Sequence, residues 1–221
     1  MQEVQIPSYS LGLKALRTNL KEMLPAHSLA TFDQDAEALQ ATHTEILKLK
    51  IGDKAPDFSL TNAIGEELSL YNQLEKSRVI LTFYRGVWCP YCNLQLAQYQ
   101  QVLPELEELG VKLWAISPQT PDHSLSMKEK NELAFEVLSD GDNKVARQFT
   151  TVFENGQEPI AAMSDLGYDF SSFNVNGQLE IPVPATFIVE QDGRISFAES
   201  EGGDYRNRVE AAMLLQALRT S

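Results

Sequence analysis

Apolar positions recur at two different periods along this chain, and the change of period divides it. Leu13, Leu16, Leu20 and Met23/Leu24 return at the spacing of one helix face, and so do Phe32, Ala36, Leu39, His43 and Ile46. Pro25 and Ser28 separate the two runs, so residues 8–47 are expected to form a helical hairpin. Its apolar stripes suit a face packed on the rest of the chain, with a dimer contact as the alternative. His43 lies on that stripe and is expected as a packed histidine. Near residue 48 the period shortens. Phe58 and Leu60 alternate as in a strand, Asn62-Ala63-Ile64-Gly65 reads as a turn, and Glu67–Leu70 as the return strand. A helical extension, residues 1–47, and a main domain, residues 48–221, are therefore expected.

The main domain then alternates. Val79–Tyr84 is a continuous apolar run of strand formers. Pro90–Gly110 carries Leu96, Tyr99, Leu103 and Leu106 on one helical face, with Pro104 expected to kink it and Gly110 to stop it. Val111–Ser117 is a second strand, residues 123–131 a short helix, Phe135–Leu138 a third strand and Asn143–Phe149 another helix. This order predicts βαβ units and a parallel sheet covered on both faces. Ala185–Val189 and Arg194–Ala198 flank Asp192-Gly193 as a hairpin, and Tyr205–Leu218 closes the chain as a helix. Residues 150–183 are turn-rich, with one helix expected at Glu158–Leu166; they read as an insertion near the active face.

Composition narrows the function classes. Acidic side chains number 31 against 18 basic, a net charge of −13, which argues against nucleic acid and against anionic membrane surfaces. No apolar run reaches membrane-spanning length. Met1–Pro7 carry neither a basic n-region nor an apolar h-region, so no secretory signal is expected. A lone Cys-x-x-Cys suits a reducing compartment better than a disulfide-stapled secreted domain, and a cytoplasmic protein is expected.

The chemistry concentrates in Trp88-Cys89-Pro90-Tyr91-Cys92, which holds both cysteines of the chain. It lies between a strand and a helix. A thiol there meets the free N–H groups and positive dipole end of the helix, which favour thiolate. Cys89 would be the N-cap with Pro90 at the first helical position, and Cys92, one turn in, would be more buried and less ionised. Zinc needs about four ligands, whereas the only histidines are His27, His43 and His123, at no ligand spacing, so no metal is expected. No glycine-rich nucleotide fingerprint occurs, and no organic cofactor is expected.

The turn resembles the active site of thioredoxin-fold proteins, and Cys-Pro-Tyr-Cys is its glutaredoxin form. Gly52–Leu60, the Gly65 turn, Thr82–Gly86, Ile116–Gln119 and Val137–Asp140 resemble the alkyl hydroperoxide reductase/thiol-specific antioxidant group, the peroxiredoxins. The resemblance covers roughly residues 48–219. It implies an α/β thioredoxin-like fold, a central mixed sheet flanked by helices, here with the N-terminal helical extension. It departs from the family at the Pro-x-x-x-Thr/Ser-x-x-Cys signature. Aligned on Phe83-Tyr84, Arg85 takes the proline place, Cys89 the Thr/Ser place and Cys92 the peroxidatic place. Aligned on Cys89, those first two places fall on Thr82 and Gly86. Thioredoxin position thus favours Cys89 as nucleophile and peroxiredoxin register favours Cys92; the helix-terminus field, strongest in the first turn, inclines the reading to Cys89.

The resemblance also implies substrate-binding roles. Trp88 would shield the sulfur, and Arg85 would stabilise a thiolate or a developing peroxide anion. Val183-Pro184 resembles the segment where a cis-proline faces the cysteines, with Val183 offering its backbone to a partner peptide. Two activities follow. A peroxidase would reduce a hydroperoxide through a Cys89/Cys92 dithiol–disulfide cycle, restored by a thioredoxin- or glutathione-type donor. A thiol–disulfide oxidoreductase would work through mixed disulfides. A redox-sensing or interaction module is a third, non-enzymatic reading.

Overall fold

The computed structural model describes residues 6–220. The chain opens with α1 (Tyr9–Met23) and α2 (Ala26–Thr42), the expected hairpin, broken at Pro25. The strands are β1 (Ser59–Asn62), β2 (Glu67–Ser69), β3 (Arg78–Phe83), β4 (Val111–Ser117), β5 (Glu136–Ser139), β6 (Val152–Glu154), β7 (Glu180–Pro182), β8 (Ala185–Val189) and β9 (Ile195–Glu199). The helices after the hairpin are α3 (Leu70–Leu74), α4 (Pro90–Gln101), α5 (Leu103–Glu108), α6 (Pro121–Lys130), α7 (Ala146–Phe149), α8 (Gln157–Asp165), α9 (Phe170–Phe173) and α10 (Ala211–Thr220). Among the described residues, no helix is long and apolar enough to cross a membrane.

Seven strands form one sheet in the order β2-β1-β5-β4-β3-β8-β9. It is mixed, as the family resemblance implied, where helix–strand alternation alone pointed to a parallel sheet. Only β3, β4 and β5 run parallel, joined by the α4–α5 and α6 crossovers. The β1–β2 and β8–β9 hairpins reverse direction through tight turns, and β1 and β8 add antiparallel to the central strands.

The alternation inside β3 explains its continuous apolar run. Val79, Leu81 and Phe83 join a cluster with Leu70 and Leu74 of α3 and Phe149 of α7. Ile80 and Tyr84 join the opposite cluster with Leu96 and Tyr99 of α4, Leu106 of α5 and Leu214 of α10. Both faces are covered, so both sets of side chains must be apolar. Pro104 does more than kink the predicted long helix. It lacks an N–H and crowds the previous turn, and the helix stops at Gln101 and restarts at Leu103. Gly110 ends α5 at φ +72°, a left-handed conformation that favours glycine.

α1 lies over α4 and α2 over α8, so the hairpin does not project away. Leu13, Leu16, Leu20 and Leu39 pack against the same cluster that holds Cys89 and Cys92. The Glu210 carboxylate accepts from the backbone N–H groups of Tyr9, at 2.6 Å, and Ser10, at 3.0 Å, at the start of α1. Favourable charge at a helix N-terminus is worth about 0.3–1 kcal/mol, more where partly buried.

Further stretches differ from the sequence expectation: α2 ends at Thr42, which leaves His43 and Ile46 outside the expected helix, and Leu70 opens α3 instead of ending the return strand. The C-terminal helix starts at Ala211, not Tyr205. Residues 205–210 stay non-helical because their side chains are drawn into the protein: Tyr205, Arg208 and Val209 are all buried. The insertion at 150–183 gains a second, two-stranded sheet, β6 with β7, in addition to the expected helix near 158–166. Ile181 of this ribbon, with Met163 and Phe170, forms a small third cluster against Trp88, Phe32 and Phe153.

Candidate active site

β3 ends at Phe83, and the next six residues turn the chain into α4. The register Phe83↔Ala185 and the Tyr84 N–H bond to the Ile116 carbonyl, at 3.0 Å, anchor the start of this turn. Gln119 accepts from the Val87 N–H at 2.8 Å. Asn93 donates to the carbonyls of Val87 and Cys89, each at 2.7 Å, and is itself held by Asn131 at 2.8 Å. Gly86 has no substitute here, because a Cβ would run into the Trp88 indole.

Cys89 is the N-cap of α4 and Pro90 its first residue, as expected. Cys92 lies one turn in, and the two side chains are 1% and 0% exposed. Both are free thiols. Facing them is Arg208, itself 4% exposed. Its Nη2 donates to Cys92 Sγ at 3.3 Å and reaches Cys89 Sγ at 3.8 Å. Its Nη1 donates to the carbonyls of Tyr205 and Asn207, which fixes the fork.

This arrangement pushes the two thiols in opposite directions. Burial alone would raise the Cys92 pKa. A hydrogen bond from the Cys89 thiol, the charge and hydrogen bond of Arg208 and a backbone hydrogen bond from Arg85 outweigh it, and the thiol falls well below its ordinary value. Cys89 moves well above, raised first by burial and then by the neighbouring Cys92; Arg208 and Arg85 offset this only in part. Cys89 occupies the N-cap, and its side chain makes no capping hydrogen bond there. Of the two neighbouring thiols, Cys92 is thus pushed down and Cys89 up.

The remaining residues named from sequence are placed as follows. Arg85 is 3% exposed, with its Cζ 3.6 Å from the Tyr205 ring centroid and 4.9 Å from that of Trp88. Trp88 is half-buried and meets Phe170 edge-on at 5.2 Å. Val183 and Pro184 flank the same end of the sheet, but two expectations about them are corrected. Every peptide bond among the described residues is trans, including Val183–Pro184. A proline just before a strand costs no ladder hydrogen bond, so nothing there demands the rarer isomer. The Val183 backbone is also engaged internally. Its N–H donates to the Thr151 carbonyl at 2.8 Å, and its carbonyl accepts from Thr150 Oγ1 at 2.9 Å. Its N–H is therefore not available to a partner peptide, and its carbonyl keeps one lone pair. Of the histidines, His43 packs on Phe153 and His123 on Phe173, while His27 is exposed.

Sequence reasoning missed Arg208 and Tyr205. Neither has a spacing that marks it, because both act from an irregular segment after β9. Arg17 was also missed: from α1 it donates to the Tyr91 hydroxyl at 3.2 Å and forms a fork with Asp33 at 2.5 and 2.7 Å.

Residues 51–198 match the model of the AhpC/TSA family. The chain belongs to the AhpC/TSA family. Peroxiredoxin Bcp of Escherichia coli is 37% identical over 101 residues, a match covering 46% of this chain and 64% of that relative's length. A putative peroxiredoxin of Mycobacterium tuberculosis is 28% identical over 156 residues, 71% of this chain and 88% of its own. Among solved structures, the peroxidoxin BcpB of Mycobacterium tuberculosis superposes with a TM-score of 0.60 at 23% identity, covering 78% of this chain and 97% of that one. A cysteine-to-serine mutant of Xylella fastidiosa PrxQ gives 0.61 at 17%, with coverages of 78% and 96%. At such identities the superpositions speak for the fold: a peroxiredoxin-like thioredoxin fold with a central mixed sheet.

Proposed function

We propose that this AhpC/TSA-family protein is a thiol-dependent peroxidase in which Cys92 attacks and Cys89 resolves. The observation that carries the reading is the buried Arg208 guanidinium donating to the Cys92 sulfur beside a second thiol. The Cys92 thiolate attacks one oxygen of a hydroperoxide. The O–O bond breaks, Cys92 becomes a sulfenic acid and the alkoxide leaves, taking a proton to become an alcohol. The Cys89 thiol then attacks the sulfenic sulfur; its proton and the departing hydroxide leave as water, and a Cys89–Cys92 disulfide forms. A thioredoxin- or glutathione-type dithiol or thiol donor reduces this disulfide and is oxidised in turn. A cytoplasmic, reducing setting would keep the resting pair in the dithiol form. The extension, residues 1–47, serves in this reading as a cover whose contacts to residues 204–210 hold Arg208 at the sulfurs.

Stopped-flow oxidation of fully reduced protein by hydrogen peroxide tests the reading. Wild type and Cys89→Ser react rapidly, Cys92→Ser does not, and Cys89→Ser stops at the sulfenic acid. Rates no faster than an ordinary free thiol in all three proteins would remove the peroxidase. The Cys-x-x-Cys at a helix N-cap supports a second reading, disulfide exchange. Its signature would be a mixed disulfide trapped at Cys89 in Cys92→Ser.

A further inference from the structure

The surroundings of the sulfurs are rich in hydrogen-bond donors that nothing accepts. Arg85 Nε, Trp88 Nε1 and Arg208 Nε are all buried without a partner. Two of them, Arg85 Nε and Trp88 Nε1, belong to one stack, in which Trp88 and Tyr205 flank the Arg85 guanidinium. An arginine lying on an aromatic face at 3.6 Å keeps its N–H groups in its own plane, and the Arg85 Nε–H finds no acceptor within the protein.

Arg85 also has no counter-ion. The other arginines around the site are spent: Arg17 on Asp33, Arg206 on Asp33 and Asp204, Arg208 on the sulfurs. Among the described residues, no carboxylate forms an ion pair with Arg85. Asp35 of α2 feels its charge but stays outside ion-pair distance, and burial raises the Asp35 pKa, which weakens it as a standing partner. A buried guanidinium without an anion is costly, and the cost is removed when an anion arrives. In a protein of net charge −13 this is a local reversal of sign.

We propose that Arg85, with Trp88 Nε1 beside it, binds the carboxylate of a ligand whose reactive end lies at the cysteine pair. The guanidinium edge matches the two oxygens of a carboxylate. The inference rests on the redox reading of the cysteines. Two sources share this chemistry: a hydroperoxide that carries a carboxylate, and a carboxylate-bearing thiol that reduces the disulfide.

The experiment has one arm for each source. Reduced protein is oxidised by a carboxylate-terminated alkyl hydroperoxide or by its methyl ester. The disulfide form is reduced by 3-mercaptopropionate or by its methyl ester. The readout is the acid-to-ester ratio of second-order rate constants in wild type, Arg85→Met and Arg85→Lys. Wild type is expected to favour the acid by about tenfold in at least one arm, equivalent to about 1.4 kcal/mol. The arm that shows it names the source. The preference disappears in Arg85→Met and is partly kept in Arg85→Lys. A wild-type ratio of one or below in both arms overturns the proposal, even if neither variant folds. So does a ratio undiminished in a folded Arg85→Met. Should no hydroperoxide outpace a free thiol while the mercaptan arm keeps its preference, the peroxidase fails and the carboxylate site stands.

Discussion

Arg208 and Cys92 stand 116 positions apart in sequence, and Arg208 Nη2 donates to the Cys92 sulfur at 3.3 Å. The contact joins an irregular segment before the last helix to the first turn of α4. The guanidinium charge favours the thiolate form at both sulfurs, and its hydrogen bond adds to this at Cys92. Removing the guanidinium leaves burial of Cys92 uncompensated, and its pKa rises. The deprotonated form is the nucleophile, so the wild-type oxidation rate falls on acidification through an inflection that lies below the ordinary thiol value. In Arg208→Met the inflection moves upward. Once it lies above neutrality, peroxide reactivity at pH 7 drops about tenfold for every further pH unit it climbs, and recovers as the solution is made alkaline. Ultraviolet titration of the thiolate, run beside the rates, checks this; an unmoved inflection would show that Arg208 is structural only.

Tyr99 supports that placement from beneath. Its hydroxyl donates to the Val209 carbonyl at 2.9 Å and accepts from Gln95 at 3.0 Å, next door to Arg208. Burial pushes its pKa up to about 12, so it stays a protonated donor well past neutrality. A tyrosine whose folded pKa is raised stabilises the fold fully below its unfolded value. That contribution is lost as pH climbs from about 10 through about 12. Tyr99→Phe should therefore lose about 1–3 kcal/mol at neutral pH, because the Val209 carbonyl is left buried and unpaired. It should also lose part of its alkaline sensitivity. Urea unfolding at neutral pH and above pH 10 tests both; equal losses at the two pH values would contradict the assignment.

Asp33 is where the extension meets the site. It pairs with Arg17 at 2.5 Å and with Arg206 at 2.9 Å, linking α1, α2 and the segment before α10. Burial alone would raise its pKa, but the hydrogen bonds and charges of Arg17 and Arg206 prevail and lower it. Its contribution is present above the unfolded carboxylate pKa and disappears as pH falls through the lowered folded value. Asp33→Asn should cost about 1 kcal/mol at neutral pH, since the groups are partly solvated, and much less in acid. Arg17 also holds the Tyr91 hydroxyl, so the same variant should alter thiol reactivity without touching either sulfur. Unchanged oxidation kinetics alongside reduced stability would confine the network to folding.

The parts of this protein written locally were legible before its structure. Period-2 and period-3.6 patterns located the hairpin of α1 and α2, every strand of the main sheet and most helices, because each pattern reflects a face that must be buried. Cys89 and Pro90 carry their own positional chemistry, so the N-cap was readable. The order of ionisation was not. It depends on Arg208, which tertiary structure brings to the sulfurs from an irregular segment with no period. β6 and β7 escaped for a related reason: each is three residues long, too short to alternate, and each exists only because the other is there to pair with it. The Val183 N–H is held by Thr151 of the insertion, a contact across 32 positions that no local pattern announces.

Gly203 tests whether the extension positions the site. It is buried against α2, and a Cβ there would run into the carbonyl of Leu39. That obstacle is backbone, so no rotamer change relieves it; either α2 or the loop at 200–204 must move. Such overpacking costs about 1–3 kcal/mol. The displaced loop also carries the Asp204 N–H bond to Gln40 Oε1, at 2.8 Å, and leads into Tyr205, whose hydroxyl donates to the Phe32 carbonyl at 2.6 Å. Arg208 follows a few residues later. Gly203→Ala should thus lower the urea midpoint and raise the Cys92 pKa together, whereas Gln40→Ala, which removes one exposed contact, should do little to either. A stability loss in Gly203→Ala with an unchanged thiol titration would mean that α1 and α2 cover the cysteine site without positioning Arg208.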